Sequence, residues 1–241
     1  MEKSSSETLE IRLEFSSPNR DNSMGYKGLL PLLELLEVAP FPKPLKVIFA
    51  GKKRNQERKQ KIDSYLSPKL LAILEPNGKV GTHITIDSYH TKHQYFSVYF
   101  SQSGTNDKIV IRVDAGIVDT MNTAGFKNLF LQLVALFPNV YFAHCTFSTS
   151  YSEFHKKYMH QNNRGASYMN FLVGLQYMGA EELAAQGGRA AFEANSLLKT
   201  TPLHEGLIIE VGANLYDIFT DEGEALLAKA TLSLSPVPYS F

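Results

Sequence analysis

Cys145 follows His144, and a thiol beside an imidazole is the pairing from which cysteine nucleophiles are made. Residues 140–147 read as a strand, however, and successive side chains of a strand leave on opposite faces, so these two cannot touch. We therefore read Cys145 as a buried core residue. His90 and His93 are spaced H-x-x-H with His83 nearby. With carboxylates distant in sequence, they define the alternative reading, a metal-dependent hydrolase. No carboxylate stands at a diagnostic spacing beside them, which ranks that chemistry second. His155 and His160 are five apart, about 140° around a helix, and no H-E-x-x-H occurs. Glu57-Arg58-Lys59 supplies the E-x-K of a metal-dependent nuclease, yet no aspartate ends the preceding strand 45–50. A solvated basic face in a charged helix accounts for it. The phosphate-loop, dinucleotide and nucleophile-elbow patterns are all missing. Gly187-Gly188-Arg189 sits between helical runs, which does not suit a phosphate cradle. No catalytic residue, metal or cofactor is expected.

What remains is charge and aromatic surface. From Glu205 to Glu224 there are six carboxylates (Glu205, Glu210, Asp217, Asp221, Glu222, Glu224) and no Lys or Arg. Their spacing lacks the D-x-D-x-D-G of a calcium loop. They read either as a solvated helix start or as an acidic dock for a basic partner, whose approach it would steer. Tyr151 and Tyr158 lie in a polar, tyrosine-rich region, and tyrosine suits interfaces because it joins rigid apolar area to a polar tip. The opposite charge is gathered between Lys52 and Lys61, where Lys52, Lys53, Arg54, Arg58, Lys59 and Lys61 face only Glu57.

The elements that must carry these residues follow from periodicity. Leu9, Ile11, Leu13 and Phe15 alternate with Glu10, Arg12 and Glu14, a strand over 8–16 with one wet face. Leucines from 28 to 38 give a helix with Pro31 in its first turn. A strand is expected at 45–50. A helix then runs through Ile62, Tyr65, Leu66, Leu70, Leu71, Ile73 and Leu74, interrupted near Pro68. Runs at 82–89, 94–102 and 108–114 form an antiparallel meander, with Gly104-Thr105-Asn106-Asp107 as a hairpin connection. A second amphipathic helix spans 123–137, then a strand 140–147. Residues 168–178 are ambiguous between strand and short helix. Residues 180–199 are helical with a break at Gly187-Gly188, 206–211 form a strand, and 221–232 a helix. The first turn of that last helix holds Asp221, Glu222 and Glu224, where negative charge suits the dipole. This is an α+β fold, an antiparallel-rich sheet with amphipathic helices packed on it. It is either a single domain over 1–241 or two α/β halves joined near 115–123.

Composition bounds the class. The 241 residues carry 24 Lys+Arg against 24 Asp+Glu, and 44% are apolar, an ordinary globular balance. Zero net charge disfavours a protein that coats duplex DNA; a nucleic-acid adaptor using 52–61 ranks third among the readings, and no direct nucleic-acid partner is expected. A single cysteine excludes an internal disulfide. Neither a signal-peptide pattern nor a membrane-spanning run is present, so a cytoplasmic protein without membrane contact is expected. A homodimer is compatible with all of this.

Across most of its length the chain resembles the immunity protein 52 family of bacterial polymorphic toxin systems. The likeness is carried by helix 123–137 followed by Pro138-Asn139-Val140-Tyr141-Phe142. It continues in the run from Tyr151 to Tyr158 leading to Ser167-Tyr168-Met169-Asn170-Phe171-Leu172. It ends in the strand Gly206-Leu207-Ile208-Ile209-Glu210-Val211, then Asp221 and Glu222-Gly223-Glu224-Ala225-Leu226-Leu227-Ala228-Lys229-Ala230. It departs from the family's usual pattern in having no tryptophan. The resemblance implies a cytosolic, non-catalytic protein that binds and blocks a cognate toxin delivered by a type VI or related secretion system. Such toxins are often nucleases, whose basic substrate grooves fit an acidic partner surface.

Overall fold

The computed structural model describes residues 8–16, 26–38, 41–50, 57–77, 83–91, 94–101, 106–147, 172, 174–212 and 220–234. The chain divides into two compact units, Met1–Asn139 and Val140–Phe241. Both are α+β, and all the strand pairings within each unit given below are antiparallel.

In the first unit six strands pair in the order β3-β2-β4-β5-β6-β1. They are β1 (Thr8–Ser16), β2 (Lys46–Ala50), β3 (Glu57–Lys61), β4 (His83–Thr91), β5 (Gln94–Ser101) and β6 (Asn106–Asp114). The expected meander is β4-β5-β6, and β1 closes on β6 with Ile11 opposite Ile111. Period-two alternation sets the two faces. Leu9, Ile11, Leu13, Ile84, Ile86, Val98, Phe100, Ile109 and Ile111 are buried on one side. Over them pack α1 (Tyr26–Glu37), α2 (Pro68–Asn77) and α3 (Ala115–Leu136). Helix α1 buries Leu29, Leu32, Leu33 and Leu36, an i, i+3, i+4, i+7 stripe. Helix α3 buries Phe126, Leu129, Phe130, Leu133 and Val134, and Phe137 just beyond it meets Phe15 edge-on at 5.4 Å.

The other side of this sheet is polar, and register aligns its residues in rows. One row runs Glu10–Arg112–Ser97–Asp87–Lys46–Lys61 across all six strands. The next runs Arg12–Val110–Tyr99–Thr85–Ile48–Lys59. A third holds Glu14, Lys108, Ser101 and His83.

Four expectations need correcting here. The basic stretch at 57–61 is not helical but an edge strand, and its lysines guard that edge against further pairing. The helix expected from Ile62 starts at Pro68 instead. Ser67 Oγ accepts from Leu70 N at 3.3 Å, so serine is the cap and proline fills the first helical position, where its missing N–H costs nothing. The segment before it is pinned by Tyr65, whose hydroxyl donates to the Pro42 carbonyl at 3.0 Å and lies 3.1 Å from Ser88 Oγ. Helix α1 begins at Tyr26, so Pro31 falls in its second turn and removes the hydrogen bond that would go to the Lys27 carbonyl. Helix α3 begins at Ala115, so residues 115–123 are helix and not a joint, and the boundary between units follows Asn139.

The second unit has strands β7 (Val140–Phe147), β8 (Leu175–Met178), β9 (Lys199–Leu203) and β10 (Gly206–Glu210), in the order β7-β8-β10-β9. Its helices are α4 (Ala180–Ala185), α5 (Arg189–Glu193) and α6 (Asp221–Ser233). The ambiguous stretch therefore ends in a strand, at 175–178. The 180–199 helix breaks at Gly187-Gly188 as expected, but it ends at Glu193, a correction. Asn195 Oδ1 accepts from Leu197 N at 3.0 Å, a local turn that competes with the helix and hands the chain to β9. Leu183, Phe192, Leu207, Ile209, Leu227 and Ala230 form the centre of this unit's core. Strands β9 and β10 meet at a two-residue turn, His204-Glu205, with His204 in the left-handed region (φ 50°).

Candidate functional site

Strand β7 settles the Cys–His question. Register pairs His144 with Gln176 and Cys145 with Leu175, so thiol and imidazole occupy opposite faces of the sheet. Cys145 is fully buried, and burial pushes its thiol well above the ordinary range. A fully buried thiol on the face opposite the imidazole is not placed for the Cys–His chemistry. His144 is buried beside Phe142, ring edge to ring at 5.6 Å.

Of the histidines considered for metal, His83 is exposed at the start of β4 and its Nδ1 lies 2.8 Å from the Tyr99 hydroxyl. His90 lies on β4, its side chain outside the described residues, as is the whole of His93. Among the described residues no three His, Cys, Asp or Glu side chains gather as a metal ligand set.

The acidic residues of the second unit are positioned by three separate devices. Glu205 is exposed in the β9–β10 turn. It exists as a tip because Gly206 lets β10 start in direct contact with β8. A Cβ at 206 would overlap the Met178 carbonyl and press on the Tyr177 ring. Burial, with the Glu205 charge adding to it, raises the Tyr177 hydroxyl above its ordinary value. Glu210 sits at the far end of β10, five residues and roughly 17 Å from Glu205. It faces Lys199 across the strand pair, Oε1 to Nζ at 3.4 Å, so part of its charge is neutralised locally. Asp221 and Glu222 are exposed in the first turn of α6, with Glu224 half-buried behind them. Thr220 caps that helix: its Oγ1 accepts from Gly223 N at 3.0 Å and its carbonyl from Glu224 N at 2.9 Å. Asp217, Tyr151 and Tyr158 lie outside the described residues.

The six carboxylates are thus distributed among a hairpin tip, a cross-strand ion pair and a helix start. Glu205, Asp221 and Glu222 have no Lys or Arg partner among the described residues. Sequence reasoning missed the Lys199–Glu210 pair because it put Lys199 in a helix. The signal was available in Thr200-Thr201, β-branched residues just before a turn. It also missed the Thr220 cap, signalled by a threonine immediately before Asp221-Glu222-Gly223-Glu224.

Comparison with protein-family models, with curated proteins and with solved structures gave no match to this chain. No helix among the described residues is long and apolar enough to cross a membrane.

Proposed function

We propose that this chain is a cytoplasmic immunity protein that binds a cognate secreted toxin, nuclease-like in character, and covers its active site without doing chemistry itself. The observation that carries this reading is the set of exposed carboxylates Glu205, Asp221 and Glu222, which no cation engages among the described residues. Held on a tight hairpin and a capped helix, they present negative charge with little side-chain burial to lose. Such charge accelerates encounter with a basic surface and contributes most when the partner desolvates it. The likeness of the chain's element pattern to immunity proteins supports the same reading. The partner would then be a basic protein, and the long-range attraction would weaken with salt.

Co-expression with a toxin from an adjacent gene tests the proposal. Cells making both proteins survive if it is right, whereas continued killing in the presence of folded protein contradicts it. Reversing charge with Asp221→Lys and Glu222→Lys should slow association about 10-fold or more at low salt while leaving dissociation nearly unchanged.

A further inference from the structure

The second face of the first unit's sheet buries Ser97, Ser101, Asp87 and Val110 but leaves Lys59, Lys61, His83 and Arg112 exposed, and the toxin-binding reading does not use it. Its described side chains bring Arg12, Lys46, Lys59, Lys61, Lys108 and Arg112 to one face. Among the described side chains three carboxylates share that face, and each is engaged, while Glu57 and Asp114 hold register positions on the same face. Glu14 pairs with Arg12 at 2.7 Å, Asp87 with Lys46 at 3.5 Å and Glu10 with Arg112 at 2.9 Å. Lys59, Lys61 and Lys108 have no carboxylate partner among the described residues.

An aromatic plate lies within the same face. The Tyr99 hydroxyl meets His83 Nδ1 at 2.8 Å and the two rings are within 12° of parallel, with centroids 5.9 Å apart. A hydrogen bond to an imidazole nitrogen lies in the ring plane, as does a phenol hydroxyl. The two rings therefore join edge to edge as one shallowly stepped surface about two rings wide. Lys108 Nζ lies 6.0 Å from the Tyr99 ring centre. In the row leading away from Tyr99, Thr85 and Ile48 are half-exposed and uncharged, and Lys59 follows three strands along. That is roughly 14 Å at about 4.8 Å per strand. Flat rings beside flexible cations, with a low uncharged path between them, are the elements of a single-strand site: bases stack on the rings and phosphates meet the lysines.

We propose that this face binds single-stranded nucleic acid, with a base stacked on the His83–Tyr99 plate and phosphates held by Lys59, Lys61 and Lys108. A zero net charge argues against coating duplex DNA but places no limit on a local surface of this kind. The site uses a different part of the chain from the carboxylates of the second unit, and it stands or falls independently of the toxin-binding reading.

Fluorescence anisotropy of the full chain with a labelled single-stranded oligothymidylate of about 12 nucleotides tests the proposal, since single-strand sites cover about 4–16. Binding is expected at about 50 mM salt, with log affinity falling against log salt at a slope of about −2, roughly 0.7 for each of three lysine–phosphate contacts. Tyr99→Leu should weaken binding about 5- to 150-fold, the worth of one stacked base. His83→Ala, at an exposed position, should weaken it in the same direction. Lys59→Glu with Lys61→Glu should weaken it by more than about 10-fold and flatten the salt slope. Three results overturn the proposal. One is no binding at low salt. Another is binding unchanged by both ring substitutions. The third is competition by polyphosphate or polyglutamate as strong as by the oligonucleotide, which would make the face a general anion or acidic-protein surface.

Discussion

Strand β1 of the first unit and strand β10 of the second are both antiparallel strands flanked by helices, yet they are written in opposite codes. Along β1 every second residue is buried, from Leu9 to Phe15, and charged residues fill the alternate positions. Along β10 Leu207, Ile208 and Ile209 are all at most 2% exposed, so both faces of that strand are covered. The difference shows where each unit can meet a partner. A strand with one wet face offers a broad sheet surface. A strand buried on both sides leaves only its ends and connections, here the His204-Glu205 tip and the start of α6.

Substitution at single positions should separate the two codes, and the largest effects belong to the cores. Leu207→Ala and Ile208→Ala should each cost about 2–5 kcal/mol although they point to opposite faces of β10. In β1, Ile11→Ala should cost a similar amount while its neighbour Glu10→Ala costs about 1 kcal/mol or less, because its ion pair with Arg112 is solvent-screened. Denaturant melts of the four variants decide this, and a small loss at Ile208 would show that one face of β10 is open. Gly206→Ala comes next, at about 1–3 kcal/mol, since the added Cβ meets the Met178 backbone and the Tyr177 ring and the backbone has little room to yield.

Each unit also holds a buried tyrosine whose hydroxyl is pushed upward chiefly by burial, Tyr65 in the first and Tyr177 in the second. A folded-state value above the ordinary 10.0 means that the folded chain binds the phenolic proton more tightly than the unfolded one. The stabilisation is therefore fully present below pH 10 and lost progressively as pH rises above it. Thermal melts from neutral to alkaline pH should fall beyond that point, and Tyr65→Phe or Tyr177→Phe should flatten the fall. The smallest effect is at the helix start, where Thr220→Ala should cost about 1 kcal/mol by removing the acceptor for Gly223 N. It should also loosen the turn that presents Asp221 and Glu222, which hydrogen exchange at residues 221–224 would report.

These two codes also explain what the sequence made legible. Alternation in β1, the leucine stripe of α1 and the Val140–Phe147 strand were readable because local pattern and burial agree. Strand β3 was not, since Glu57-Arg58-Lys59-Gln60-Lys61 has no apolar period, and its strand conformation comes from pairing with β2 alone. Strand β9 was hidden by Pro202, which an edge position tolerates. By pattern alone Pro68 looks like an interruption, yet it is a start, because its partner in the cap, Ser67, acts through a side-chain hydrogen bond. For the candidate sites, charge composition located the carboxylates, but only strand register revealed that Lys199 sits opposite Glu210. The His83–Tyr99 plate joins residues 16 apart in sequence on neighbouring strands, and no spacing rule would have linked them.

We propose that the second unit's exposed carboxylates dock a basic toxin. Gel filtration of this chain co-expressed with a toxin from an adjacent gene tests this. One complex peak containing both proteins is expected, stable at low salt and lost at matched concentration when Glu205, Asp221 and Glu222 are all changed to lysine. Separate elution of two folded proteins at low salt, or a complex indifferent to those three substitutions, would contradict it.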